Sequence, residues 1–162
     1  MADVNPLEEK LGEVIGLAEA AQAAIDKVSS LEDADSQSDL LERLKQESEE
    51  TAKRGREAAD KREGKKTAIL EKAQETKKEG VEMMETYLGD DSDGLDGFEF
   101  LIMTEAGEAG HWAILGKLNE KAGESAVGEL VDWALPLQEK HLSAVRDGSL
   151  ELAAAEDPES ED

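Results

Sequence analysis

The stretch Phe98-Glu-Phe-Leu-Ile-Met-Thr-Glu105-Ala-Gly-Glu108-Ala-Gly-His111-Trp112-Ala-Ile-Leu115 places Phe98, Leu101, Trp112 and Leu115 on one helical row, at steps of three and four. Two carboxylates, Glu105 and Glu108, sit in that row where core residues belong. A second segment repeats the anomaly: Val127, Val131, Ala134, Gln138, His141 and Val145 form a single stripe in which Gln138 and His141 replace apolar residues. Residues three apart on a helix point to the same side, so Glu108 with His111 and Gln138 with His141 each offer an oxygen and an imidazole to one region. These are the only two histidines in the chain.

Working outward, the rest also reads as helix. Sustained alternation at period two is missing, and β-branched and aromatic residues are few, so strands are not expected. Asn5-Pro6 opens a first helix, a capping residue before proline at the first helical position, with Leu7, Leu11, Val14, Ile15, Ala18, Ala21, Ile25 and Val28 on its stripe. It should stop near Ser30. Ser38 or Asp39 caps the next helix, which carries Leu41, Leu44, Ser48, Ala52, Gly55 and Ala59. Gly64 either softens or breaks it, so residues 39–88 read equally as one long helix or two.

The segment 89–97 is rich in Asp and Gly. A calcium loop would need ligands at its first and twelfth positions, and Gly89 and Phe100 fall there, so an ordinary turn with Asp96 as helix cap is expected. Two last helices, about 97–121 and 125–146, are joined by a turn short enough to make them antiparallel neighbours. The expected fold is an all-α antiparallel four-helix bundle with a long or broken second helix. Residues 1–151 would form one domain, followed by an acidic disordered tail over 152–162.

Composition narrows the partners. A formal net charge of −23 repels nucleic-acid phosphates and anionic lipid, so neither nucleic acid nor membrane is expected. No apolar run reaches the ~20 residues that cross a bilayer, no amino-terminal signal pattern is present, and a cytoplasmic protein is expected. Such an acidic surface suits a salt-rich interior. With no cysteine there is no thiolate nucleophile or Cys-based metal site. Residues 53–66 hold a locally basic strip, read either as a solvated face laced with ion pairs or as a contact for acidic surfaces in self-association. Trp112 and Trp133 read as core, and Pro136 should kink the last helix just before Gln138.

Unpaired buried carboxylates are costly, so polar groups in two facing cores are expected to meet and to share a cation or a proton. Counted from the turn, Glu105, Glu108, Gln138 and His141 fall in adjoining layers, with His111 nearer the turn.

With Glu108-x-x-His111, Gln138-x-x-His141 and the acidic Glu49-Glu50-Thr51 segment, the chain resembles the ferritin-like superfamily, in particular its small bacterial stress-response branch. It departs from that pattern in having Gln138 for Glu, Arg54 after the Glu-Glu-Thr, and both motifs on the last two helices. The resemblance implies iron or manganese held by Glu105, Glu108, His111, Gln138 and His141. Glu19 and Glu47 of the first hairpin would supply further carboxylates. Such a protein would act as a ferroxidase or in protection against oxidative stress, as a homo-oligomer. The alternative is a metal-free acidic bundle acting as a structural or protein-interaction module. A zinc hydrolase is the weakest reading, because no Glu stands beside the first His to position water.

Overall fold

The computed structural model describes residues 3–161, and among them the chain forms five long helices and no strand. They are α1 (Pro6–Ser29), α2 (Ser38–Asp60), α3 (Lys66–Tyr87), α4 (Gly94–Ala122) and α5 (Ser125–Ala154), with a short 3₁₀ turn at Ala34–Gln37. The open question over residues 39–88 resolves into two helices. The chain reverses at 61–65, where Gly64 adopts φ +75°, a left-handed conformation that a side chain disfavours.

Local chemistry sets the helix ends. Asn5 and Glu8 form a reciprocal capping box at the start of α1, with Pro6 in the first turn. At α4 the cap is Asp93, and Asp96 is its partner three residues on rather than the cap itself. For α2 the cap position is Gln37, which makes no side-chain capping bond, and Ser38 is already helical.

α1 is the central element, packed against α2, α3 and α4, while α5 packs against α4 and α2. The α1–α2 pair is antiparallel, as the Glu8–Arg62 and Asp26–Lys45 ion pairs show. α3 lies outside, parallel to α1, over a row of small residues. A Cβ on Gly12 would approach the Ile69 carbonyl oxygen to 2.7 Å, and Gly16 faces the Ala73 carbonyl still more closely. A fifth helix fits because α1 presents backbone, not side chains, on that side.

The core is divided. One apolar cluster gathers Leu11, Val14, Ile15, Ile69, Trp112, Leu115, Val127 and Ala134. The other gathers Ile25, Val28, Leu41, Leu44, Phe98, Leu101, Val145 and Leu152. Leu152 corrects the expected domain end: α5 runs to Ala154, and Leu152, only 6% exposed, closes this second cluster instead of starting a tail. α5 also continues through Pro136. Residues 153–161 are exposed.

Candidate functional site: a buried acid–imidazole layer

Between the two apolar clusters lies a layer of polar side chains from three helices: Ser48 and Thr51 of α2, Glu105 and Glu108 of α4, Gln138 and His141 of α5, all buried. Glu47 of α2 joins from the rim. His141 is the hub. Its Nε2 lies 2.9 Å from Glu47 Oε2, and its Nδ1 lies 3.5 Å from Glu105 Oε2, within ion-pairing reach but outside hydrogen-bond geometry. With its NH₂ turned toward α4, Gln138 donates to Glu105 Oε2 at 2.8 Å and to Glu108 Oε2 at 3.2 Å.

The protonation states follow from these neighbours. Burial pushes the Glu108 carboxyl well above the usual range, and the charge of Glu105 and a hydrogen bond with it act the same way. Glu108 is therefore held in its neutral form. For His141 burial favours the neutral ring, but the Glu105 and Glu47 carboxylates outweigh it and raise the pKa above its ordinary value. An imidazolium with a carboxylate beside each nitrogen is the species this geometry favours.

The structure brings together Glu105, Glu108, Gln138, His141 and Glu47, and separates His111 and Glu19 from them. His111 points to the outer seam between α1 and α4, its side chain 36% exposed, with Nδ1 3.2 Å from Lys10 Nζ and 3.3 Å from Glu13 Oε2. Burial, and then the Lys10 ammonium, hold its pKa below the ordinary value. The cause is geometric: each helical step of three falls about 60° short of a full revolution, so Glu105, Glu108 and His111 cannot all face one point. Trp112, a step of four from Glu108, takes the inward place instead. Glu19 lies in the α2–α3 groove, bound by Arg56 at 2.9 Å from its Nε, with Lys77 at 3.9 Å.

Sequence reading missed Ser48 and Thr51 as members of the layer. The available signal was their small polar character on the apolar stripe of α2. Trp112 Nε1 is also buried without a partner, as are Ser48 Oγ, Glu105 Oε1 and Glu108 Oε1.

The observed layer differs from the metal centre that the resemblance implies. A metal needs a ring nitrogen with a free lone pair, whereas both nitrogens of His141 face carboxylates, and no second histidine is at hand. Among the described residues, no group of three or more His, Asp or Glu side chains is arranged to hold a metal ion.

The basic strip is largely consumed by ion pairs within the chain. Arg54 pairs with Glu50 at 2.9 Å and stacks 4.0 Å over the Trp133 ring. Arg56 pairs with Glu19, Lys66 with Asp60, and Arg62 with Glu8 at 2.6 Å and Glu124 at 3.0 Å. Among the described residues, no helix is long and apolar enough to cross a membrane. No protein-family model, curated protein or solved structure matches the chain.

Proposed function

We propose that this chain is a non-catalytic acidic helical protein, a structural or protein-interaction module, in which a proton-bound acid–imidazole layer stands where a metal centre would otherwise tie the helices together. The observation that carries this reading is the double engagement of His141, 2.9 Å from Glu47 and 3.5 Å from Glu105. Such a layer specifies register: sliding α5 by one turn against α4 would leave two buried acids, Glu105 and Glu108, without their partners. The acidic surface suits a salt-rich cytoplasm, and self-association through surfaces other than the basic strip belongs to the same reading.

Titration with Fe(II), Mn(II) and Zn(II) tests it. A ligand that binds only the folded state raises Tm by mass action, so unchanged melting at saturating metal is the expected result. A rise in Tm that His141→Ala abolishes overturns the reading.

One observation favours a second reading, a ferritin-like protein that binds iron or manganese. Glu105 Oε1 and Glu108 Oε1 are buried with no partner, and a cation would supply one. In that case α1, α2, α4 and α5 make the antiparallel four-helix bundle and α3 is an addition to it. The same titration decides between the two.

A further inference from the structure

The outward face of α4 differs from the rest of this acidic surface. From 103 to 114 its exposed residues are Met103, Ala106, Gly107, Gly110, Ala113 and Ile114, with His111 turned into the seam with α1. No charge stands on that face for about 16 Å of helix, in a chain whose net charge is −23. Met103 is 48% and Ile114 49% exposed. Met83 of α3, 64% exposed, lines one groove with Met103, so the apolar surface continues onto the neighbouring helix. Contiguous exposed apolar surface of this kind marks a contact with another molecule.

Gly107 and Gly110 bear on how close that contact is. Glycine weakens a helix interior, and a Cβ at either position would meet nothing within 4 Å, so no contact inside the chain requires them. Their bareness permits close approach of a second helix, as Gly12 and Gly16 permit for α3 on α1.

The charges at the two ends of the face select the partner. Glu99 stands one turn before Met103, and Lys117 and Lys121 stand one and two turns after Ile114, all three exposed. Lys117 also pairs with Glu120 at 2.8 Å. An acid at one end and bases at the other make the face complementary to an antiparallel copy of itself. Setting Gly107 of each copy on Gly110 of the other brings Met103 over Ile114 and Glu99 beside Lys117, twice by symmetry. A parallel pair would set Glu99 on Glu99 and lysine on lysine. With 41 acids against 18 bases, most other approaches of two copies set carboxylates on carboxylates.

We infer that this face of α4 is a two-fold interface with a second copy of the chain, α4 packing antiparallel on its symmetry mate. The inference names the partner of the interaction module proposed above and rests on that reading. Metal titration tests the module and molecular mass tests the interface, so the two failures are told apart.

Gel filtration with light scattering should give twice the 17.5 kDa mass of the chain. Salt screens the repulsion between two acidic copies, so the dimer should tighten as salt rises. Gly110→Glu puts a carboxylate at the centre of the face, where nothing in the chain obstructs it. It should keep the helix content by circular dichroism and weaken the dimer about tenfold or more. Glu99→Lys lowers the net negative charge and yet should weaken the dimer, by about threefold or more, because it sets lysine against Lys117. Adding Lys117→Glu to it should restore most of the affinity. A mass of 17.5 kDa at about 1 mM chain in about 1 M salt overturns the proposal. So does a dimer that Gly110→Glu leaves unchanged, or a Glu99→Lys dimer as tight as the wild type.

Discussion

With its NH₂ turned toward α4, the amide nitrogen of Gln138 lies 2.8 Å from Oε2 of Glu105, so a residue on α5 gives a buried acid on α4 a hydrogen bond without bringing charge of its own. A glutamate in that place would set a third carboxyl against Glu105 and Glu108.

Gln138→Glu is therefore expected to destabilise the protein by about 3 kcal/mol near neutral pH, the cost of an uncompensated buried acid. Urea denaturation followed by circular dichroism measures it. If added Mn(II) restores the loss, the variant binds a cation between the carboxyls of α4 and α5.

The layer links stability to pH in one direction. His141 is raised above its ordinary 6.5, so its contribution is complete below that value and disappears as pH rises through the folded-state pKa. Glu108 is raised above 4.5 and acts with the same sign, holding its proton in the folded state and losing stability as that proton is removed. Melting temperature should fall as pH rises above the ordinary 6.5 of histidine, where ordinary surface carboxylates do not titrate. His141→Gln should make the profile shallower, leaving the part that Glu108 contributes. A wild-type curve that stays level would refute this.

The two histidines should behave unlike each other. His141→Ala leaves Glu105 buried opposite no cation and is expected to cost about 3 kcal/mol or more. His111→Ala removes only a partly exposed contact with Lys10 and Glu13 and should change stability by less than about 1 kcal/mol. Paired chemical denaturation curves compare them.

Gly12→Leu tests how α3 is held. The new side chain would meet the Ile69 carbonyl and the Lys72 side chain within 3 Å, so α3 must move away. A loss of about 2 kcal/mol or more is expected. Faster amide exchange over residues 66–87 would show that α3 is the element released.

Leu152→Ala checks where the folded domain ends. A side chain 6% exposed in the second cluster should cost about 2 kcal/mol when truncated, whereas Glu156→Ala should cost nothing measurable. Thermal melts of the two variants suffice.

The all-helical class was legible because the apolar spacings of α1, α4 and α5 are long and unbroken, and the inward-facing acids were legible as interruptions of those rows. What escaped was angular and tertiary. The Glu108-x-x-His111 spacing looks convergent along the sequence, but the 60° lag per step turns His111 into the seam where Lys10 and Glu13 receive it. The place of α3 rests on Gly12 and Gly16, whose meaning depends on which helix approaches them. Leu152 looked like the start of a tail because its neighbours in sequence are small and acidic, and only its distant neighbours in the fold bury it.

The polar layer splits the molecule into two stacked storeys, each drawing side chains from α1, α2, α4 and α5 and so belonging to no single hairpin. Residues at opposite ends of the same helix therefore owe their protection to different apolar neighbourhoods. Local opening is therefore expected to loosen one storey before the other, with the plane of His141 as the boundary between them.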